Sequence, residues 1–146
     1  MSVTLNFDMD GTIAALYDTP HWLDCLRASD PTPYMVAKPC FQLSPLARLL
    51  NRLQRNGYRL SVISWTSKTG TPDFNRKVDK AKRDWLNRHL PSVHWDEIHI
   101  VPYGTPKETF AHESDDVLFD DEEPNRKAWT GKAYDASDIL KILKEF

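Results

Sequence analysis

Short runs of β-forming residues alternate along this sequence with segments that carry the periodicity of amphipathic helices. The runs that predict strands are residues 3–7, 58–64, 97–101 and 116–119. This alternation is typical of α/β domains, in which right-handed crossovers through helices join parallel strands. It predicts an α/β fold with a Rossmann-like, mainly parallel sheet that has helices on both faces.

Two helices between the predicted strands have clear start signals. Ser44 and Pro45 suit the N-cap and the first position of a helix. Four leucines at helical spacing form its apolar face: Leu46, Leu49, Leu50 and Leu53. Thr71 and Pro72 begin the second helix, which carries five cations away from its apolar stripe: Arg76, Lys77, Lys80, Lys82 and Arg83. Such a basic run is most often a solvated helix face, and we expect all five to be exposed.

The segment from about residue 14 to residue 45 differs from the rest of the chain. It contains five of the ten prolines and several aromatic residues, and this proline density argues against long regular elements. One short helix is expected within it, around residues 20–28. A long, mostly irregular insertion in a compact domain is more often functional than idle, so we expect this one to contribute to function.

The composition is that of one soluble domain, with 146 residues, 40% hydrophobic and 27% charged. A net charge of −2 provides no global positive field for nucleic acid or anionic lipid. Cys25 and Cys40 lack metal-ligand spacing and are expected to be free thiols, which fits a cytoplasmic location. No secretory signal or membrane-spanning run is visible. We therefore expect a single domain over residues 1–146 with no membrane partner, and the oligomeric state is left open.

Polar side chains follow each of the four predicted strands. In chain order they are Asp8 with Asp10, Ser64, Lys107, and Asp120 with Asp121. In a parallel sheet the carboxyl ends of the strands meet at one edge, and ligands bind there. We therefore expect one site that combines several carboxylates, a hydroxyl group and a lysine.

This set of side chains supports a narrow range of chemistry. A carboxylate cluster with few basic partners attracts a hard divalent cation, for which Mg²⁺ is the expected ion. Such an ion would offset the repulsion between Asp8 and Asp10. Beside the metal, a carboxylate can attack phosphorus and form an aspartyl-phosphate. Ser64 and Lys107 would contact the phosphoryl oxygens, and Asp10 is placed to protonate the leaving oxygen and later activate water.

The segment FDMDGT, at residues 7–12, resembles the first motif of the haloacid dehalogenase (HAD) superfamily of phosphohydrolases. The resemblance implies that Asp8 is the nucleophile and Asp10 the general acid/base. It also implies that both aspartates belong to the Mg²⁺ site. Family members with Asp at the position of Asp10 hydrolyse phosphate esters.

Three further segments resemble the remaining HAD motifs. LSVIS is similar to the second motif, which implies phosphate binding at Ser64 and the adjacent Trp65. Lys107 resembles the third-motif lysine; Lys127 and Lys132 are alternatives, but both follow the fourth motif. VLFDD is similar to that fourth motif, and its two aspartates, Asp120 and Asp121, are the implied Mg²⁺ ligands.

A narrower resemblance is to the 5'(3')-deoxyribonucleotidase-like branch, through KRDWLNRHLP, DDVLFDD and NRKAWTGKAY. It implies a (deoxy)nucleoside monophosphate or another small phosphorylated metabolite as substrate, and a minimal cap at about residues 14–45. Candidates for substrate contacts are Tyr17, Trp22 and Lys68. The rings of Tyr17, Trp22 and Trp65 could stack on a base, or they could cover the core beneath a small cap. Lys68 could meet a substrate phosphate or be solvated.

Two other functions are compatible with the same residues. The site could act on a phosphate at a nucleic-acid end, although the charge balance disfavours a nucleic-acid partner. A receiver-like module that responds to phosphate without turnover also uses an acidic cluster, a hydroxyl group and a lysine around Mg²⁺. A receiver's phosphoacceptor, however, lies well into the chain, and a receiver has no use for an acid two residues beyond it.

Overall fold

Five parallel strands form one sheet, in the order β3-β2-β1-β4-β5. The computed structural model describes residues 2–146, so Met1 lies outside the described part of the predicted domain. The strands are β1 (Thr4–Phe7), β2 (Arg59–Trp65), β3 (Glu97–Val101), β4 (Val117–Phe119) and β5 (Ala133–Tyr134). The predicted α/β class and parallel sheet are confirmed, and the short strand β5 was not predicted.

In the described part of the chain, six α-helices and three short 3-10 turns connect and cover the strands. The helices are α1 (Trp22–Arg27), α2 (Thr32–Val36), α3 (Leu43–Arg55), α4 (Pro72–His89), α5 (Glu123–Ala128) and α6 (Ile139–Leu143). The 3-10 turns are Leu16–Asp18, Lys107–Phe110 and Ala136–Asp138. Within residues 2–146, none of these helices combines the length and the apolar character needed to cross a membrane.

The two long helices begin close to the predicted positions. In α4 the Thr71 side chain accepts a hydrogen bond from the backbone N–H of Phe74 at 3.1 Å, so the predicted N-cap is confirmed. Helix α3 starts before Ser44, because Leu43 is already helical and Gln42 occupies the N-cap position. The prediction of Ser44 as N-cap is therefore wrong; the earlier start lets Leu43 pack against the core.

Apolar side chains cover both faces of the sheet. Leu5 and Phe7 of β1 belong to the main buried cluster, together with the leucines of α3 and with Trp85 of α4. Ile63 of β2 contributes to a separate cluster on the opposite face, which includes Trp129 after α5. Alternate residues of the strands therefore face different helical layers, as expected for a buried parallel sheet.

The strand order reverses at β1, and this reversal places the site. The chain runs from β1 outward to β2 and β3, then crosses to β4 on the other side of β1. The carboxyl ends of the strands at such a switch point form a crevice that binds ligands. The register pairs Phe7 with Phe119, so Asp8 and Asp120 leave neighbouring strands at the same level.

The insertion between β1 and α3 packs against α4. Leu16 and Tyr34 of the insertion share a buried cluster with Phe74 of α4. The indole N–H of Trp85 donates to the backbone carbonyl of Ala37 at 2.8 Å. The expected helix around residues 20–28 is present as α1, whereas α2 was not predicted.

Candidate active site

Three carboxylates converge at the switch point between β1 and β4. Asp8 follows β1, and Asp120 and Asp121 follow β4. Each offers an oxygen atom, and these oxygens all lie within 4.8 Å of one another. Asp8 and Asp120 are buried, and Asp121 is half-buried. Like charges this close repel strongly where water is scarce, so the group needs nearby positive charge for all three to ionise.

Lys107 supplies one positive charge to these carboxylates. Its Nζ lies 2.8 Å from Oδ1 of Asp8 and 2.8 Å from Oδ2 of Asp120, and its side chain is buried. Burial alone would lower the pKa of Lys107, but the two carboxylates outweigh that effect and raise its pKa above the ordinary value. Lys127 and Lys132, the alternatives for the third-motif lysine, are both exposed. The structure therefore brings Lys107 into the site.

The loop after β1 fixes the orientation of Asp8. Thr12 Oγ1 donates to Asp8 Oδ2 at 2.9 Å and accepts from the backbone N–H of Asp121 at 3.2 Å. Gly11 has a φ of +79°, and a Cβ atom there would collide with the Asp121 carboxylate. With Lys107 on Oδ1, both carboxylate oxygens of Asp8 have a partner, so the carboxylate is held in one plane.

The acidic group carries more negative charge than Lys107 neutralises. Burial raises the pKa of Asp121 to about 8, and the neighbouring Asp8 contributes to the rise. Burial and the charge of Asp8 also raise the pKa of Asp120, against the opposing effect of Lys107. A divalent cation would relieve this repulsion, and carboxylate oxygens are the ligands that Mg²⁺ prefers. The donor set therefore fits the ion that the sequence implies.

Asp10 lies beside the acidic group rather than within it. Its side chain lines the cleft in front of Asp8, and its Oδ2 accepts a hydrogen bond from Lys82 Nζ at 2.8 Å. Burial raises the pKa of Asp10, with Lys82 opposing the rise and Asp8 adding to it. The group of carboxylates that could share a metal ion does not include Asp10, and the expected role of Asp10 as a metal ligand stays a prediction. Its role as a general acid stays a prediction.

Lys82 is the main residue of the site that the sequence analysis missed. The prediction that Lys82 lies on the solvated face of α4 is wrong, because its side chain is only 1% exposed. Its ammonium donates to oxygens of Asp10, Ser64 and Trp65. The other four cations of that face are exposed, as expected. The signal was present in the spacing, because Lys82 lies three residues before Trp85 on the buried stripe of α4.

Ser64 lies beneath the cleft. Strand β2 continues to Trp65, so Ser64 is still part of the ladder and is only 1% exposed. Its Oγ accepts a hydrogen bond from Lys82 at 2.7 Å. The hydroxyl residues that line the cleft after this strand are Thr66 and Ser67. Phosphate binding by Ser64 stays a prediction, and these two residues are further candidates for that role.

A cleft of about 250 Å³ opens in front of Asp8 and Asp10. The rings that line it are Tyr17, Trp22, Tyr34, Trp65 and Tyr103. The rings of Trp65 and Tyr103 lie 4.9 Å apart, and Lys68 Nζ lies 5.8 Å from the centre of the Tyr103 ring. The four residues proposed for substrate contacts or stacking thus line one cleft: Tyr17, Trp22, Trp65 and Lys68. Tyr103 was not predicted.

No protein-family model and no curated protein matches this sequence. Solved structures do match. One is a D,D-heptose 1,7-bisphosphate phosphatase from Burkholderia thailandensis, with a TM-score of 0.54 and 18% identity over 87% of this chain and 71% of that chain. Another is a D,D-heptose 1,7-bisphosphate phosphatase from B. bronchiseptica complexed with magnesium and phosphate, with a TM-score of 0.57 and 11% identity over 98% of both chains. At these identities the likeness shows a shared fold.

Proposed function

We propose that this chain is a Mg²⁺-dependent phosphomonoester hydrolase of the HAD type that acts through an aspartyl-phosphate on Asp8. The observation that carries the proposal is the buried ammonium of Lys107, which bridges Asp8 and Asp120 next to Asp121. The shared fold with two solved phosphatases supports the assignment. A cytoplasmic location and a single domain over residues 1–146 stay predictions from the sequence.

Asp8, Asp120 and Asp121 would hold the metal ion. When bound, Mg²⁺ would offset the charge of the carboxylates and of the substrate's phosphoryl group, so that an anion can approach an anion. The presence of magnesium and phosphate in the B. bronchiseptica phosphatase supports this ion as the one to test first.

The proposed reaction has two steps, formation of the aspartyl-phosphate and its hydrolysis. In the first, an oxygen of Asp8 forms a bond to phosphorus while the bond to the leaving oxygen breaks, and Asp10 gives its proton to that oxygen. In the second, water attacks phosphorus and passes a proton to Asp10 while the bond between phosphorus and the Asp8 oxygen breaks. This step releases phosphate and regenerates the Asp8 carboxylate. Thr12 and Lys107 keep the Asp8 carboxylate in a fixed orientation. Lys107 also has a third N–H with which to contact a phosphoryl oxygen.

We propose a (deoxy)nucleoside monophosphate as the substrate. The aromatic cleft supports this choice, because a base stacked on such a ring gains about 1–3 kcal/mol. Three of the rings, Tyr17, Trp22 and Tyr34, come from the insertion at about residues 14–45, which would then act as a minimal cap. The solved neighbours act, by their names, on a sugar bisphosphate. Sugar phosphates are therefore the main competing substrates.

The test is phosphate release from nucleoside monophosphates, sugar phosphates, a phosphorylated oligonucleotide and p-nitrophenyl phosphate, with Mg²⁺ and with EDTA, beside phosphate uptake from acetyl phosphate. We expect release that requires Mg²⁺, is abolished by Asp8→Asn and is unchanged by Asp115→Asn, an exposed carboxylate before β4. A protein that takes up phosphate from acetyl phosphate and keeps it would instead be a receiver-like module. Activity confined to oligonucleotide ends would favour the nucleic-acid alternative. No release and no uptake would overturn the proposal.

A further inference from the structure

We propose that Lys82 is a positioning residue, which holds the Asp10 carboxylate at the wall of the cleft in the orientation needed for proton transfer to the leaving oxygen. The inference rests on the proposed function. It gives a role to a buried cation. Taking a charge out of water has a desolvation cost, which only well-placed partners offset.

The contacts of Lys82 use all of its hydrogen-bonding capacity. An ammonium group has three N–H donors. The Nζ atom of Lys82 lies 2.8 Å from Oδ2 of Asp10, 2.7 Å from Oγ of Ser64 and 2.7 Å from the backbone carbonyl oxygen of Trp65, and donates to all three. A ligand could therefore bind Lys82 only by displacing one of these partners.

The two buried lysines of the site differ in whether an N–H of the ammonium group remains available to a ligand. Lys107 donates to two carboxylates, Asp8 and Asp120, and within residues 2–146 its third N–H has no hydrogen-bond acceptor. Lys107 also lines the cleft. It is thus equipped to contact a substrate, whereas Lys82 can act on a substrate only through its partners Asp10, Ser64 and Trp65.

Lys82 joins three separate parts of the fold at Asp10. It projects from α4, bonds to the end of β2 and reaches the loop after β1, and its Nζ lies 5.4 Å from the centre of the Tyr34 ring in the insertion. Within residues 2–146, Lys82 is the hydrogen-bond partner of the Asp10 carboxylate, and no second one is found. Without Lys82, this carboxylate would be free to turn.

The orientation matters because proton transfer requires the acid within hydrogen-bonding distance of the leaving oxygen. A shift of about 1 Å in a reacting group can cost about 10²-fold in rate. Lys82 also counters the repulsion that Asp8 exerts on Asp10. Removal of Lys82 should therefore lower the reaction rate in the same way as a partial loss of Asp10. The decrease in rate should be larger for a leaving group that needs a proton.

The experiment is a double-mutant cycle with Lys82→Met and Asp10→Asn, measured as kcat/KM, which reports the steps up to departure of the leaving group. Two substrates are compared: a nucleoside monophosphate, whose leaving alkoxide needs a proton, and p-nitrophenyl phosphate, whose leaving group does not. Lys80→Met is the matched control, since Lys80 lies on the same helix, is 79% exposed and pairs with Asp84.

We expect Lys82→Met to lower kcat/KM for the nucleotide by about 10²-fold, mainly through kcat, and for p-nitrophenyl phosphate by less than about tenfold. In the Asp10→Asn background, Lys82→Met should cost little more. Lys80→Met should have no effect. Because a buried methionine could disturb folding, Lys82→Gln, which keeps a polar group at the site, is measured in parallel and should show the same dependence on the leaving group.

Equal losses for the two substrates would overturn the inference, as would an undiminished loss in the Asp10→Asn background, because either would indicate a purely structural role. If Lys82→Met does not fold, the result for Lys82→Gln decides in the same way. A wild-type protein without phosphatase activity would instead overturn the proposed function, and this inference with it.

Discussion

The Nζ atom of Lys107 lies 2.8 Å from Oδ1 of Asp8, although 99 residues separate the two in the chain. The 3-10 turn that begins at Lys107 brings the lysine under the carboxyl end of β1. Both groups are buried, so each charge depends on the other for its stability. This ion pair connects the folding of the domain to the chemistry of the site.

Lys107→Met should destabilise the metal-free protein by about 3–5 kcal/mol, because removing one partner leaves buried carboxylates without a cation. Denaturant unfolding in EDTA measures the loss. Lys132→Met is the control: it removes the same charge from an exposed lysine that was an alternative for the third motif. A similar loss in both variants would show that net charge, and not the buried pair, is responsible.

The stability of the metal-free protein should fall as the pH rises from about 4 to about 8. The pKa of Asp121 is raised from 3.8 to about 8 in the folded chain. In this range the folded state holds a proton that the unfolded state has lost, so each increase in pH favours unfolding. Mg²⁺ should reduce the slope, because it stabilises the ionised carboxylate.

Thermal melting against pH, with EDTA or with Mg²⁺, checks this dependence. Asp121→Asn should flatten the slope of melting temperature against pH in EDTA. Because the two proteins share their other titratable groups, the contributions of those groups cancel in this comparison. One of these is His89, whose pKa is lowered by burial and which acts in the opposite direction. A slope in EDTA that Asp121→Asn leaves unchanged would contradict the prediction.

Two buried threonines offer a matched pair of substitutions. Thr12→Val removes the hydroxyl that bonds Asp8 and the backbone N–H of Asp121, and should cost about 1–3 kcal/mol of stability in EDTA. Thr4→Val changes a threonine that is equally buried, 1% exposed, but whose hydroxyl has no partner within residues 2–146. It should cost nothing or stabilise the fold. Equal effects in denaturant unfolding would rule out this role for Thr12.

Trp22→Ala should raise KM for a nucleoside monophosphate by about tenfold, because one stacked contact is lost. It should leave KM unchanged for a small ester that has no base, such as methyl phosphate. Leu23→Ala is the control, since Leu23 is the next residue of α1 and is 39% exposed. Steady-state kinetics on both substrates provides the measurement. A KM for the nucleotide that does not change would argue against stacking on Trp22.

The sheet and its long helices could be predicted because burial leaves a regular pattern in the sequence. Leu46 and Leu50 of α3, for example, recur at helical spacing and are fully buried. Strand β5 has only two residues, too few for any periodicity. Helices α2 and α5 are short and contain Pro33 and Pro124 in their first turns. The proline density of residues 14–45 argues against regular elements there, but proline is well tolerated in the first turn of a helix, where Pro33 lies.

The acidic group could be predicted because parallel strands bring their carboxyl ends to one edge, so that the strand pattern alone places Asp8 near Asp120. The partner of Asp10 could not be predicted in the same way. Lys82 lies on a helix rich in exposed cations, and a charged residue is expected to be exposed. Its spacing, four residues after Val78, nevertheless puts it on the buried stripe. Side-chain partners across long sequence distances are set by packing, and periodicity alone does not identify them.

The most direct test of the central claim is mass spectrometry of the protein quenched with acid during turnover of p-nitrophenyl phosphate with Mg²⁺. Asp10→Asn, which should slow hydrolysis of the intermediate, is used to raise its population. We expect one added phosphoryl group on the peptide that contains Asp8, and we expect it to be absent in Asp8→Asn and in EDTA. Phosphate release with no phosphorylated Asp8 peptide at any quench time would contradict it.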